Sequence, residues 1–585
     1  MQVVIVGGVA GGMSCAARLR RLDENASIIV LDKGPDVSVA SCGLPYHVGG
    51  EIPDEASLRV QTPASLRASL DLDVRTGHEV LSVDPQARTV LVRNAAGKHT
   101  IGWDALVLSP GATAARPPIP GIDSPRVHEL RVVEDAVRLK AAVRGATRAV
   151  VVGGGCIGIE AAENLRLAGL EVTLLEGSDH VLPPLDAEMA SLARAELRRL
   201  GIEVVENAPL AEIRPGADAD TLVLADGRTW EAQVIVVSVG ARAETALAAS
   251  AGVALQNGAF VIDGRGRTDV EGIWAIGDAV NQTHFVTASV RPVQLAGPAN
   301  RAGRLVAEDV IAFTTAACGQ GADGDTAPAA QASTSWKTPQ VGAASARELP
   351  KPLGTAIVRI GELQVAMTGA SKRELERAGI EHRTIHLHPN QHVTYFPGAE
   401  MMALVLHFDQ EGRILGAQGV GRDGVDRRID VLSTAMRAGL HVGDLADLDL
   451  CYAPPFGAAK DAVMMAGTAA QNVLDGTLTL WYPWQLADVR KTHLILDVRT
   501  VAESEAGPRI PGALLVPHTQ LRERMEEVRR AAIGRPVAVH CKSGVRSYLA
   551  HRMLAAAGLE SVSLSGGMLT LQAWAEGREQ GLLEG

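Results

Sequence analysis

Cysteine is scarce in this chain: six in 585 residues, at positions 15, 42, 156, 318, 451 and 541. They spell neither a disulfide framework nor a C-x-x-C metal pair, which argues against a stapled secreted scaffold, predicts no structural zinc or other metal, and suits a reducing, cytoplasmic compartment. Also missing is any unbroken apolar run near the ~20 residues of a membrane span, so no membrane association is expected. The opening segment 1–8 lacks the basic n-region of a signal peptide and runs into glycines, so it reads as a strand. Positive charge is in deficit, 56 Lys and Arg against 67 Asp and Glu. The net charge of -11 argues against a general nucleic-acid surface, while a local basic patch can still hold an anionic ligand. The length predicts roughly three to five domains at ~100–200 residues each.

What is present begins with glycine. The strand Val3–Val6 leads into Gly7-Gly8-Val9-Ala10-Gly11-Gly12, a helix to Leu22, and a strand Ile28–Leu31 ending in Asp32 and Lys33. Glycines at such a turn let the backbone approach a pyrophosphate, the helix start offers free N–H groups, and an acid about 20 positions on holds a ribose hydroxyl. Val9 takes the usual place of the middle glycine. A second copy is complete: Val150–Val152 precedes a turn in which Gly153, Gly155 and Gly158 satisfy G-x-G-x-x-G, and the strand Val172–Leu175 ends at Glu176. An acid there favours the free 2′-hydroxyl of NAD over the 2′-phosphate of NADP. NADH is the expected donor.

The most informative absence is local. Cys42, in Ser38-Val39-Ala40-Ser41-Cys42-Gly43-Leu44-Pro45-Tyr46-His47, follows the first unit, and the position where a C-x-x-x-x-C dithiol would carry its second cysteine is His47. A lone thiol cannot close an internal disulfide. Redox chemistry through Cys42 therefore runs through a mixed disulfide with a small thiol, a persulfide or a sulfenic acid.

Two further segments, Leu106–Ala112 with Ser109, Pro110 and Gly111, and Thr268–Asp278 ending in Gly277 and Asp278, complete a pattern. With the two glycine turns it resembles the flavoprotein pyridine nucleotide-disulfide oxidoreductase family over residues 1 to about 312, and more weakly to about 470. The resemblance implies FAD on the first unit and NADH on the second, with Asp278 on the flavin ribityl chain and Glu160 near the nicotinamide. Within that family, S-x-x-x-C-G-L-P-Y is similar to the coenzyme A-disulfide reductase and NADH-dependent persulfide reductase branch, in which a single cysteine forms a mixed disulfide with coenzyme A. Tyr395, in Gln391–Gly398, and Tyr452, in Leu450–Pro455, look like the branch's two tyrosine motifs, which reach the thiol from the second subunit of a homodimer. Ser38 resembles its ligand-contacting serine. Arg18 and Arg21 stand at i, i+3 on the first helix, where guanidinium groups can hold the coenzyme A phosphates.

A second sulfur site closes the chain. Leu494–Arg499, Ile510–Ala513 and Val537–Ser547 resemble a rhodanese domain over residues 481–585, with Cys541 as the persulfide-forming nucleophile. Four residues separate Cys541 from Arg546, the six-residue loop of sulfurtransferases. A cysteine between a strand and a helix start has its thiolate stabilised by backbone N–H groups, with Arg546 and Lys542 adding positive charge. Gly507-Pro508-Arg509 departs from the family's Gly-His before Ile-Pro-Gly-Ala, which bears on substrate entry and not on the nucleophile.

The expected architecture is α/β: tandem FAD- and NAD-binding Rossmann-like domains, an α/β dimerisation domain and a C-terminal rhodanese-like α/β domain. The boundaries are 1–119 and 241–312 for the FAD-binding parts, 120–240 for the NAD-binding domain, 351–475 for dimerisation and 481–585 for the last. Residues 313–350, rich in Ala, Gly, Ser, Thr and Pro, read as a low-complexity insertion holding Cys318, which has no assigned role. The implied activity is NADH-dependent reduction of coenzyme A persulfide, coenzyme A disulfide or polysulfide at Cys42, beside a sulfurtransferase. The alternative is an NADH oxidase or peroxidase cycling through a cysteine sulfenic acid, and a third, weaker reading is a redox sensor without turnover.

Overall fold

The computed structural model describes residues 1–319, 347–576 and 582–584. In it the two glycine-turn units fold as sister sheets. One runs in the order Ile273–Ala275, Ala105–Leu108, Gln2–Val6, Ser27–Leu31, Asp73–Arg75, all parallel. The other has the order Ile202–Val205, Glu171–Leu175, Arg148–Val152, Val234–Val237, Val127–His128, again parallel. Their central strands are continuous apolar runs because both faces are covered. Val3 to Ile5 and Ala105 to Leu108 are fully buried. In each sheet the strand before the glycine turn has neighbours on both sides. The winding reverses there and opens a crevice beyond the strands' carboxyl ends, where open α/β sheets bind ligands.

The first helix, Ala10–Leu22, lies along Ala296–Gly319. A Cβ on Gly303 would stand 2.2 Å from the Gly11 carbonyl oxygen, so the two backbones approach as only glycine allows. The helix Ala296–Gly319 also runs past position 313, where the insertion is expected to begin. Val310 and Ile311 are buried and Phe313 meets Trp274 edge-on at 5.3 Å, so apolar contact with the sheet carries the helix beyond the change in composition. The remainder of that expected insertion, 320–346, and the Cys318 side chain lie outside the described residues.

An antiparallel sheet follows, in the order Ala356–Ile360, Leu363–Gly369, Ile414–Gly421, Ala403–Phe408, Arg383–Leu387. The period-2 pattern divides its faces: Leu404, Leu406 and Phe408 join the core beneath the helices Val425–Ala438 and Ala462–Leu474. Ala403 and Val405 join Ile159, Met189 and Leu197 of the second nucleotide unit. The last domain is a parallel sheet ordered Leu480–Trp481, Ser561–Leu564, Val537–His540, Leu494–Asp497, Leu514–Leu515. The molecule is thus mixed α/β throughout. Among the described residues, no helix is long and apolar enough to cross a membrane, and no cluster of three or more His, Cys, Asp or Glu is placed to hold a metal ion.

Candidate functional site

The two glycine turns are built alike. Gly7 has φ +104°, and a Cβ there would fall 2.0 Å from the Ser109 carbonyl oxygen. Gly153 has φ +105°, and a Cβ on it would fall 2.3 Å from the Ser238 carbonyl oxygen. Side chains at Gly12 and Gly158 would collide with the carbonyls of Gly7 and Gly153, at 1.9 and 1.8 Å. The acids at the strand ends also serve one design: Asp32 Oδ2 accepts the Gly8 N–H at 2.7 Å and Glu176 Oε2 accepts the Gly154 N–H at 2.6 Å. Their other oxygens accept from Gly34 at 2.8 Å and Ser178 at 2.6 Å. Burial pushes the Asp32 carboxyl up against the lowering effect of those N–H groups.

Both turns fit a dinucleotide. The helices Ala10–Leu22 and Cys156–Leu167 start with no side-chain cap and no acid in the first turn, which leaves N-terminal N–H groups free for a phosphate. Val9, in the middle-glycine place, is turned outward and exposed. Ala10 and Gly11 open the helix, and Gly11 faces the Ser109 hydroxyl. Pro110 and Gly111 follow the strand Ala105–Leu108. Lys33 is drawn to Glu244 at 3.3 Å on the surface. Asp278, beside Gly277, is bound by Arg131, whose Nη2 lies 2.8 Å from Oδ2 while its Nε donates to the Ala112 carbonyl. Sequence reasoning missed Arg131, because 147 positions separate it from Asp278.

Cys42 is exposed and free in the short turn Ser41–Gly43, which continues into the helix Leu44–Gly49. His47 is buried, with Nδ1 on the Ile52 carbonyl at 2.8 Å. The helix lies against Cys156–Leu167 so closely that a Cβ on Gly49 would stand 2.1 Å from Asn164 Oδ1. Across this contact the Tyr46 hydroxyl donates to Glu160 Oε1 at 3.0 Å. Burial raises both groups above their ordinary values, while the bond to Tyr46 lowers Glu160 in part. Arg359 stacks over the Tyr46 ring at 5.1 Å and pairs with Glu51. Tyr46 lies in the segment Ser38–His47 that the sequence singles out, but nothing there pairs it with Glu160, 114 positions away.

Ser38 lies beside the first glycine turn, its N–H donating to the Gly8 carbonyl at 2.8 Å from a backbone φ of +51°. The candidate arginines part company: Arg18 is paired with Glu308 at 2.8 Å, and the exposed Arg21 bonds the Ala17 carbonyl at 3.1 Å. Arg20, between them, is buried and braces the carbonyls of Glu24, Leu70 and Asp71. Tyr395 and Tyr452 meet each other, hydroxyl to hydroxyl at 3.0 Å, and stand 73% and 47% exposed. Phe396 and Phe456 are exposed on the same two loops. Those loops share a buried hub: Arg428 Nη2 donates to the Gln391 carbonyl at 2.7 Å and to Asp461 at 2.8 Å.

In the last domain Cys541 sits between the strand Val537–His540 and the helix Val545–Ala556, 0% exposed. Its Sγ accepts the Gly544 N–H at 3.2 Å and lies 3.5 Å from Ser547 Oγ. Burial pushes His540 down to about 4, so it is neutral near pH 7. Arg546 closes the loop, and its guanidinium is engaged by both oxygens of Glu503, at 2.6 and 2.7 Å. This contact holds the Glu503 carboxyl down at about 2. The positive charge expected beside the sulfur is therefore partly neutralised. Glu503 is missing from the sequence reading, although Thr500-Val501-Ala502-Glu503 spells the capping box it forms.

Residues 1–303 match the family model described as pyridine nucleotide-disulphide oxidoreductase, residues 355–463 its dimerisation domain, and residues 484–574 a rhodanese-like domain. A relative from Staphylococcus haemolyticus named coenzyme A disulfide reductase is 31% identical over 480 residues, covering 81% of this chain and all of the relative. The crystal structure of reduced Bacillus anthracis CoADR-RHD has 35% identity and a TM-score of 0.90, covering 99% of this chain and 98% of its own. A NAD-dependent persulfide reductase from A. fulgidus has 33% identity and a TM-score of 0.86, covering 97% and 100%. With its paired glycine turns, the helix after Cys42 docked on the helix that follows the second of them, and its buried C-terminal cysteine loop, the chain belongs to the pyridine nucleotide-disulphide oxidoreductase family and carries a rhodanese-like domain.

Proposed function

We propose that this enzyme uses NADH and FAD to reduce a sulfur–sulfur bond of coenzyme A persulfide, coenzyme A disulfide or polysulfide at Cys42, as a cytoplasmic homodimer, with Cys541 handling sulfane sulfur. One observation carries the reading. The exposed, unpaired Cys42 lies on the segment that Tyr46 ties to Glu160, so thiol and second nucleotide turn share one wall. The first turn would hold FAD through Gly7 to Gly12 and Asp32, and the second would hold NADH through Gly153 to Gly158 and Glu176. Bound FAD supplies the means to take a hydride from NADH and deliver the electron pair that reopens a mixed disulfide.

The chain's own residues do the rest. With a persulfide, the Cys42 thiolate attacks the coenzyme A sulfur, the S–S bond breaks, hydrosulfide leaves, and Cys42–S–S–CoA forms. Two electrons then return Cys42 and coenzyme A as thiolates. The exposed hydroxyls of Tyr395 and Tyr452 would reach a partner subunit's thiol and steady the departing sulfur. Ser38 and Arg21 would meet the coenzyme A chain, with Arg18 free to do so only on release from Glu308. At Cys541 the Gly544 N–H stabilises a thiolate or persulfide anion.

The test compares NADH oxidation with coenzyme A persulfide, coenzyme A disulfide, polysulfide and oxygen, with hydrosulfide measured directly. Turnover with a sulfur acceptor and release of hydrosulfide from the persulfide support the proposal. Fast oxygen consumption with no sulfur-dependent rate replaces it with the oxidase reading.

A further inference from the structure

The floor of the Cys541 loop rests on another domain. The turn Ser565–Gly566–Gly567 leads into the helix Gly567–Ala575, whose first N–H groups reach back to the loop. The Met568 N–H donates to the Cys541 carbonyl at 2.9 Å and the Leu569 N–H to the Lys542 carbonyl at 3.0 Å. No side chain fits between: a Cβ on Gly567, at φ +64°, would lie 2.7 Å from both carbonyl oxygens. The floor therefore packs directly against the loop, backbone to backbone.

Behind this floor stands His386, on the edge strand Arg383–Leu387 of the antiparallel sheet. Its backbone N–H donates to Ser565 Oγ at 3.0 Å, and its Nδ1 lies 2.8 Å from the same oxygen. Its Nε2 lies 2.8 Å from Glu188 Oε1, on the helix Ala187–Arg199 of the second nucleotide unit. The His386 and Glu188 side chains are 2% and 5% exposed, so the contact is sealed. One proton assignment satisfies every group: the serine hydroxyl donates to Nδ1, and Nε2–H donates to the carboxylate. Gly566 fits against this histidine because a Cβ there would stand 2.7 Å from His386 Cβ.

Serine, histidine and glutamate in series invite comparison with a nucleophile triad, but Ser565 is buried. The adjoining cavity, lined by Glu188, His386, His388 and Thr570 among others, is about 10 Å³, no larger than one water. No substrate reaches the hydroxyl. The series connects three domains instead.

We propose that His386 is a positioning residue for Cys541: through its Nδ1 bond to Ser565 it holds the floor of the cysteine loop shut. The inference rests on Cys541 as the sulfur-bearing thiol, and its test reads that thiol without turnover. Asparagine at 386 reaches as far as Nδ1 and retains the bond to Ser565, whereas glutamine reaches as far as Nε2 and retains the bond to Glu188.

Full-length wild type, His386→Asn, His386→Gln and Ser565→Ala are exposed to iodoacetamide at one pH, and alkylation at each cysteine is followed by peptide mass spectrometry. Amide hydrogen exchange at Met568 and Leu569 is measured alongside. In His386→Gln and Ser565→Ala, Cys541 reacts about tenfold faster than in wild type, the rate equivalent of ~1.4 kcal/mol of lost loop closure. Exchange at Met568 and Leu569 speeds up with it. His386→Asn retains the wild-type rates, and Cys15, sealed in the first domain, stays unreactive in all four proteins. Equal Cys541 rates in all four proteins, or equal acceleration in the asparagine and glutamine variants, would overturn the proposal. Thiosulfate sulfur transfer by wild type, assayed separately, reports whether Cys541 carries sulfur at all.

Discussion

The Tyr46 hydroxyl donates a hydrogen bond to Glu160 Oε1 across 3.0 Å, joining the helix that starts beside Cys42 to the helix that starts at the second glycine turn. The bond lowers a carboxyl that burial raises. Tyr46→Phe removes the donor and leaves the ring under Arg359. Stopped-flow reduction by NADH is expected to slow about tenfold, the scale of a ~1.5 kcal/mol hydrogen bond to a charged group, with FAD content unchanged.

Cys42→Ser is expected to bind FAD and accept a hydride from NADH at the wild-type rate, because the glycine turns and Glu160 are intact, yet to lose turnover with every sulfur acceptor. Anaerobic titration with NADH followed by steady-state assay separates the two half-reactions. Full activity in this variant would remove Cys42 from the mechanism.

Glu176 places a carboxylate at the end of the second unit's strand, where the 2′-phosphate of NADPH would meet it. kcat/KM for NADH should exceed that for NADPH by about a hundredfold, ~2.7 kcal/mol of avoided like-charge contact. Glu176→Ala should narrow the ratio and also weaken NADH binding, since the N–H groups of Gly154 and Ser178 lose their acceptor.

The Glu503–Arg546 pair makes the last domain acid-sensitive. The folded carboxyl titrates at about 2 against an ordinary 4.5. A depressed carboxyl stabilises the fold above its unfolded pKa, and that contribution disappears as pH falls from about 4.5 towards 2. The melting temperature of Glu503→Gln should lie below wild type at pH 7, and the gap should shrink over that interval. A gap that is constant with pH would assign the loss to packing.

Cys541→Ala should abolish thiosulfate or persulfide sulfur transfer and leave NADH-dependent reduction of a free coenzyme A substrate largely intact. With a sulfur source that must first load Cys541, hydrosulfide release should fall in parallel. Unchanged hydrosulfide from every source would make the last domain a passive appendage.

The features legible in the sequence are local ones. Glycines at fixed offsets before a helix, a cysteine without its partner at position 47, and four residues between Cys541 and Arg546 each fit within a dozen positions, so pattern and chemistry coincide. The pairs that organise the site do not: Arg131 with Asp278, Tyr46 with Glu160, Arg428 with Asp461 and His386 with Glu188 join residues 147, 114, 33 and 198 positions apart. No periodicity announces them. The helix beyond 312 was obscured for a different reason. Its alanines and threonines look like linker composition, and the contact of Phe313 with Trp274 and the burial of Thr314 show that the segment is packed.

Cys541 has no exposed surface. A sulfur atom carried there, as proposed, would be bound to a buried Sγ, shielded from the thiols that would strip it in bulk solution. The lifetime of that cargo would then depend on how often the loop opens as well as on how much scavenger surrounds the enzyme.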